Sequence, residues 1–221
     1  MKTLILLGAF FIFSTTVLYS QDKLQGQTQD RDQDRVMLVD GDLLQIRDRD
    51  QIRLIDKIVL NDGTTVNPDG TYMTKDRKRL RLKDGECLDN DGIKYRNEYQ
   101  YRYKVQQENK GLSQSQIQER NQNRFQIVSI NGEAYQVKNH IQNQVREQVK
   151  LNNGTTVNPD GTYQTEDRKQ LRLKDGECLN MEGEMFKNTF QYRKMINNKA
   201  MKKTKVQKKS QVKKQQKNTG S

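Results

Sequence analysis

Asn61-Asp62-Gly63-Thr64-Thr65-Val66-Asn67-Pro68-Asp69-Gly70-Thr71 returns as Asn152-Asn153-Gly154-Thr155-Thr156-Val157-Asn158-Pro159-Asp160-Gly161-Thr162, and this repetition decides how the chain is read. Two turn signals flank a short Thr/Val run in each copy. Asn-Gly and Asp-Gly supply the positive φ that tight hairpin turns need, so each pair of signals predicts a hairpin. Pro68 and Pro159 fix φ just ahead of Asp-Gly, which turn geometry also favours.

Working outward, an offset of 91 residues aligns the copies without a gap. Leu60 to Leu88 differs from Leu151 to Leu179 at four of 29 positions. In the first copy, glycines 41, 63, 70, 85 and 92 each follow Asp, and short runs such as Leu80-Arg81-Leu82-Lys83 alternate apolar and basic as half-buried strands do. The reading is mainly β: two tandem antiparallel β-meander modules, 36–103 and 127–194, joined by a polar linker at 104–126. That linker has helix character at Ser113 to Arg120. Residues 46–58 and 137–149 read as extended chain, with a short helix as the alternative, because Val137, Ile141, Val145 and Val149 fall at helical spacing that the first copy lacks and two copies of one fold should share their secondary structure. Tyr99, Tyr101 and Tyr103 alternate and predict a closing strand.

Outside the modules the composition shifts. Lys2 and the apolar run Leu4 to Phe13 form a signal peptide over 1–20, with cleavage expected near Ser20. The run is shorter than the roughly twenty residues needed to span a bilayer, so no transmembrane segment remains after cleavage. Residues 21–35 alternate Gln, Asp and Arg and read as a solvated, disordered leader. Residues 195–221 read as a disordered basic tail. From Arg193 onward there are 11 Lys/Arg and no acid, leaving 29 basic against 28 acidic residues elsewhere. Lys202, Lys203, Lys205, Lys208, Lys209, Lys213 and Lys214 are therefore the candidate polyanion contacts. They suit an anionic envelope surface or polysaccharide better than sequence-specific nucleic acid, for which no recognition motif is present.

The pattern Leu60-Asn61-x-Gly63-Thr64-x-Val66-x-x-Asp69-Gly70-Thr71, continued by Leu80-x-Leu82-Lys83-x-Gly85-Glu86-Cys87 and Asp91-Gly92, resembles a module of exported bacterial envelope proteins catalogued as domain of unknown function 6799. The second copy carries it at Leu151 to Cys178 and Gly183. The resemblance implies a small β fold and export to the periplasm or beyond, and it implies no activity.

Comparing the copies also tests candidate chemistry. Asp89-Asn90-Asp91-Gly92 has the look of a calcium loop, but Asn180-Met181-Glu182-Gly183 replaces it. Asp69, Asp160, Asp89 and Asp91 are the weak candidates for a metal or small-ligand site in Asp/Asn-rich turns, the alternative reading of function. His140 is the one histidine, opposite Arg49 in the first copy. No Ser/His/Asp or Cys/His set stands out, so the chain reads as a non-enzymatic binding or structural protein without a cofactor. Cys87 and Cys178 occupy equivalent places and would suit a disulfide in an oxidising compartment, or would serve equally as small buried side chains.

Overall fold

The computed structural model describes residues 34–202. Its centre is an eight-stranded sheet drawn from both copies. The first copy gives β1 (Asp34–Val39), β2 (Asp42–Arg53), β7 (Cys87–Asp89) and β8 (Lys94–Tyr95). The second gives β9 (Phe125–Ile130), β10 (Glu133–Gln144), β15 (Cys178–Asn180) and β16 (Met185–Phe186). Their order is β16-β15-β1-β2-β10-β9-β7-β8, antiparallel throughout. Each copy also forms a four-stranded sheet: β3 (Ile58–Val59), β4 (Thr65–Val66), β5 (Thr71–Met73) and β6 (Arg79–Arg81), and then β11 (Val149–Lys150), β12 (Thr156–Val157), β13 (Thr162–Gln164) and β14 (Gln170–Arg172). Helices α1 (Glu98–Asn109) and α2 (Gln114–Gln122) follow the first copy, and a third, α3, runs over 189–202. The mainly β, antiparallel, twice-repeated architecture is the one expected.

The repeat of sequence is nevertheless not the unit of packing. Val36, Leu38 and Leu43 of the first hairpin are buried against Leu151, Val157, Tyr163 and Leu173 of the second small sheet. Reciprocally, Ile127 and Ala134 of the second hairpin are buried against Leu60, Val66, Tyr72 and Leu82 of the first. The helices cross over in the same way. Tyr192 and Ile196 of α3 cover Met37, Leu44 and Ile46, while Tyr101 and Val105 of α1 cover Val128, Ile130 and Val137. Strand alternation sends successive side chains to opposite faces, so the helices share one face of the central sheet and the two small sheets share the other.

The repeated turn is where this exchange is stitched. Asp69 Oδ1 accepts from the backbone N–H and hydroxyl of Thr71, at 3.0 and 2.7 Å, which shapes the turn and leaves the Pro68 carbonyl outward. That carbonyl accepts from the Ala134 N–H at 2.8 Å, and Pro159 accepts from Leu43 at 3.2 Å. Each turn thus bonds its own small sheet to the other copy's hairpin. The copies meet where β2 pairs with β10, and there Asp48 lies opposite Asn139, its own counterpart 91 residues later. The axis relating the copies passes through this pair.

The extended reading holds for residues 46–53 and 137–144, which lie within β2 and β10, because both hairpins need long central strands to meet. Several other sequence expectations are corrected. Tyr99, Tyr101 and Tyr103 lie on α1 and not on a closing strand; Tyr101 is buried and Tyr103 exposed, the helical outcome of spacing two apart. The 104–126 span is the end of α1 with α2 and the start of β9, and it buries Val105, Asn109 and Asn121. Arg35, assigned to the leader, is wholly buried on β1. Residues 195–202 extend α3, with Ile196 buried in its contact with the sheet. The remaining expectations for 1–33, including the signal peptide and the rest of the leader, and for the tail from Lys203, including Lys205, Lys208, Lys209, Lys213 and Lys214, fall outside the described residues; Lys202 ends the described part of α3, exposed.

Candidate functional site

Two polar features converge at the centre of the molecule, and the first builds the second. At the axis, under both long helices, five charged side chains are sealed from solvent: Arg35, Asp48, Glu98, Arg102 and Arg193. Asp48 accepts from Arg35, Arg102 and Arg193, each at 2.7 Å. Glu98 takes the same three guanidiniums, Arg35 at 2.6 Å, Arg102 at 2.8 Å and Arg193 at 2.7 Å. Burial by itself would raise the Asp48 carboxyl, but the combined pull of Arg102, Arg35 and Arg193 drives it far below the ordinary range. Glu98 is likewise held low, burial again being opposed by Arg193, Arg35 and Arg102. The guanidiniums of Arg102 and Arg193 are raised by the same carboxylates against their own desolvation. Three positive charges against two negative leave one buried positive charge in excess, partly met by the ring faces of Tyr192 under Arg35 and Tyr101 under Arg102.

The cluster is lopsided between the copies. Arg35, Asp48 and Glu98 correspond to Gln126, Asn139 and Thr189, all buried and neutral, while Arg102 corresponds to Arg193. Local capping places these groups. The Asn97 side chain accepts from the Gln100 N–H at 3.1 Å and Asn188 from Gln191 at 3.0 Å, which starts α1 with Glu98 and α3 with Thr189 over the axis. Beneath the two helix starts is a cavity of about 210 Å³, whose deepest charges, Glu98 and Arg193, are bonded to each other.

Gln142 carries the cluster into a second feature. Its amide donates to the Arg102 carbonyl at 2.9 Å and its carbonyl accepts from the Arg102 guanidinium at 3.3 Å, and it also lines an open groove of about 800 Å³. The groove runs between β2 and β10 on one side and the α1–α2 connection on the other. Carboxamides supply eight of its 18 lining residues, including Gln45, Gln106, Asn109, Gln142 and Gln144. Leu44, Leu112, Ile117, Val145 and Val149 add apolar surface, and the charges are balanced, Asp42 and Glu147 against Lys110 and Arg146. Asp42 fixes part of the wall by accepting from Gln106 at 2.7 Å and from Gln144 at 2.9 Å. Among the described residues Gln106 Oε1 and Asn109 Nδ2 are buried without a hydrogen-bond partner, as are six other side-chain atoms away from the groove, Arg35 Nε and both amide atoms of Gln126 among them, so the groove is marked by its carboxamide lining and not by these two atoms.

The residues singled out from sequence lie elsewhere. Asp69 and Asp160 are exposed, and each carboxylate is occupied by its threonine, whose hydroxyl bond holds both carboxyls low. Asp89 is buried and accepts from the Asp91 and Ile93 amides, the Tyr95 hydroxyl and Lys104, while Asp91 accepts from the Asn61 side chain at 2.8 Å. Among the described residues no three His, Cys, Asp or Glu side chains gather as a metal would require. The disulfide is corrected: Cys87 on β7 and Cys178 on β15 have four strands between them, about 24 Å at normal strand spacing, and both thiols are free and buried. Burial pushes the Cys178 thiol up to about 12 and that of Cys87 higher still. The groove itself escapes sequence reading because its walls come from segments about 40 and 100 residues apart and its amides look like solvated filler.

In comparison with known proteins, a family model described as Domain of unknown function (DUF6799) covers residues 33–93 and 126–185, more than half of the chain. No curated protein and no solved structure matches it. No helix among the described residues is long and apolar enough to cross a membrane.

Proposed function

For a chain that belongs to the DUF6799 family, with two copies fused through one sheet, we propose the role of an exported, non-catalytic binding protein of the bacterial cell envelope, its groove holding an uncharged, hydroxyl-rich ligand of the glycan class. The observation that carries this reading is the amide lining, eight carboxamides among 18 lining residues. A carboxamide presents one acceptor and two donors, the complement of a sugar hydroxyl that both donates and accepts. Balanced charge along the groove favours a neutral ligand over an ionic one. No aromatic ring lines the groove, so sugar faces would rest on the half-buried Leu112, Ile117 and Val149 with modest affinity, a Kd of about 0.1–1 mM.

A binding role also suits the buried ionisable groups. The two thiols are protonated at neutral pH and cannot act as thiolate nucleophiles, and the buried carboxylates of Asp48 and Glu98 are already occupied by guanidiniums. Export rests on Lys2 and the Leu4 to Phe13 run, and the ten lysines that follow the buried Arg193 would add affinity for anionic envelope material.

Titration of isotopically labelled protein with chitotetraose and with maltotetraose, followed by NMR, tests the groove. The side-chain amides of Gln106, Asn109 and Gln144 are expected to shift saturably with at least one of them, and Gln106→Leu is expected to weaken binding about tenfold with little loss of stability. Silence of those amides with both sugars at several times the stated Kd would remove the glycan reading.

A further inference from the structure

The two helix starts that meet at the axis are not equivalent. Glu98 opens α1, and its carboxylate takes the guanidiniums of Arg35, Arg102 and Arg193. Its counterpart 91 residues later is Thr189, so the first turn of α3, Thr189 to Tyr192, carries no acid. A helix N-terminus bears roughly half a positive charge, and in α3 no carboxylate of its own meets it. Around position 189 the polar frame persists in neutral form. Arg35 ties Glu98 to Asp48, whereas its counterpart Gln126 leaves both amide atoms unpartnered, and Asn139 Oδ1, in the place of the Asp48 carboxylate, is unpartnered too.

The cavity of about 210 Å³ lies at this point, lined by Arg96, Glu98, Thr189, Phe190 and Arg193 among others. Asn97 and Asn188 cap only the Gln100 and Gln191 amides, so the amides of Glu98, Tyr99, Thr189 and Phe190 have no acceptor among the described residues. Thr189 is 3% exposed and lines the cavity, yet its hydroxyl has no hydrogen-bond partner among the described residues. Arg96 adds an exposed guanidinium that forms no ion pair among the described residues. Of the two carboxylates nearby, Glu98 has both oxygens on guanidiniums, and Asp84 spends Oδ1 on the Gly132 amide at 2.9 Å and the Ser129 hydroxyl at 3.2 Å. With two helix starts, Arg96 and the excess charge of the buried cluster set against Asp84, the cavity is positive on balance.

We propose that this cavity is an oxyanion site of the phosphate class, the anion standing where a carboxylate at position 189 would stand. The Thr189 hydroxyl and the Thr189 and Phe190 amides donate to it, and Arg96 reaches it from the solvent side. Donors arriving from several directions suit a tetrahedral oxyanion, as helix N-termini and guanidiniums do elsewhere. The volume is several times the ~30 Å³ that a water molecule occupies, which is room for a phosphate group with ordered water and more than a halide needs. Free phosphate and a phosphate monoester share this chemistry. The site is separate from the carboxamide groove and stands whether or not the groove binds a glycan.

The test is an NMR titration of the full chain at neutral pH and constant ionic strength, with inorganic phosphate and with glucose 1-phosphate, read at the Thr189 and Phe190 backbone amides. Saturable shifts with phosphate are expected. Saturation by the ester as well supports a monoester site, and saturation by phosphate alone supports a site for the free anion. Arg96→Gln is expected to weaken binding about tenfold and Thr189→Val several-fold, because hydrogen bonds to a charged group are the strong ones. Lys57→Gln removes the same charge from an exposed position outside the cavity and is expected to leave binding nearly unchanged. Absence of saturable shifts at Thr189 and Phe190, or the same shifts with sodium chloride, would overturn the proposal. Equal weakening by Arg96→Gln and Lys57→Gln would overturn it as well, by assigning the attraction to net charge. Both of those residues are exposed, so this comparison decides even if Thr189→Val disturbs the fold, and unchanged thermal melting shows that each variant is folded.

Discussion

Replacing Asp48 by Asn tests whether charge balance or the number of hydrogen bonds governs the buried cluster. Asp48 accepts three guanidinium bonds, from Arg35, Arg102 and Arg193. Asparagine keeps one acceptor oxygen and turns an NH₂ group toward the remaining donors. More importantly, the sealed site passes from one excess positive charge to two. Breaking a buried ion pair from one side costs about 3–5 kcal/mol, because the charge left behind is neither solvated nor balanced. For a fold of this size that is a fall in Tm of roughly 10 °C. Arg193→Met is the informative partner. Arg193 donates four bonds, to Asp48, Gln51 and both oxygens of Glu98, yet its removal leaves two guanidiniums against two carboxylates. Charge balance therefore predicts a loss of about 2 kcal/mol or less, smaller than for Asp48→Asn despite more bonds broken. The pH dependence gives a second readout. Asp48 and Glu98 are depressed in the folded protein from ordinary values of 3.8 and 4.5, so the unfolded chain takes up protons first as pH falls. Their contribution is complete above about pH 5 and is lost progressively below it, and in Asp48→Asn this acid limb is expected to flatten by the share of one carboxylate. Urea unfolding at pH 7 and at intervals down to pH 3 measures both quantities. If Arg193→Met proves the more damaging, or if the acid limb is unchanged in Asp48→Asn, the argument from charge is refuted.

Two further outcomes follow from the exchange between copies. Leu43→Ala in the first hairpin empties space against the second small sheet, so a loss of about 2–4 kcal/mol and faster hydrogen exchange are expected at 156–164 before 65–73; the opposite order would place the folding units within the sequence repeats. Gly70 and Gly161 share a positive φ, but a Cβ at Gly161 would lie 2.7 Å from Leu38 Cδ1, whereas at Gly70 it meets nothing closer than 3.8 Å. Gly70→Ala is expected to cost about 1 kcal/mol and Gly161→Ala about twice that, measured by thermal unfolding, and equal costs would show that the backbone alone matters.

How far the sequence could be read depended on whether a feature was local. Turns announced by Asn-Gly, Pro-Asp-Gly and their repetition were legible, and so was the antiparallel character of each copy. What failed was anything requiring knowledge of a partner far along the chain. Arg35 follows a run of Gln, Asp and Arg and resembles its neighbours, yet its partners Asp48 and Glu98 lie 13 and 63 residues away. The Tyr99, Tyr101 and Tyr103 alternation imitated a strand, although Asn97 with Gln100 three residues on is a helix-start signal, as is Asn188 with Gln191. Low apolar content made 104–126 look like a linker, because its helices are fixed by a few buried residues such as Val105 and Asn121 and by capping at Ser113. The groove was invisible for a related reason: glutamine is read as solvated unless something shows which of its atoms has been taken out of water.

The pairing of Asp48 with Asn139 has a meaning for descent. Two separate identical chains meeting on a two-fold axis must place the same residue there twice, so an aspartate at this position would confront its own copy, charge against charge across neighbouring strands. Joining the copies in one chain lifts that obligation. One side can mutate alone, and Gln126, Asn139 and Thr189 are what such freedom leaves behind: a centre that no symmetric pair of chains could assemble, and a reason why the fusion, once made, is difficult to undo.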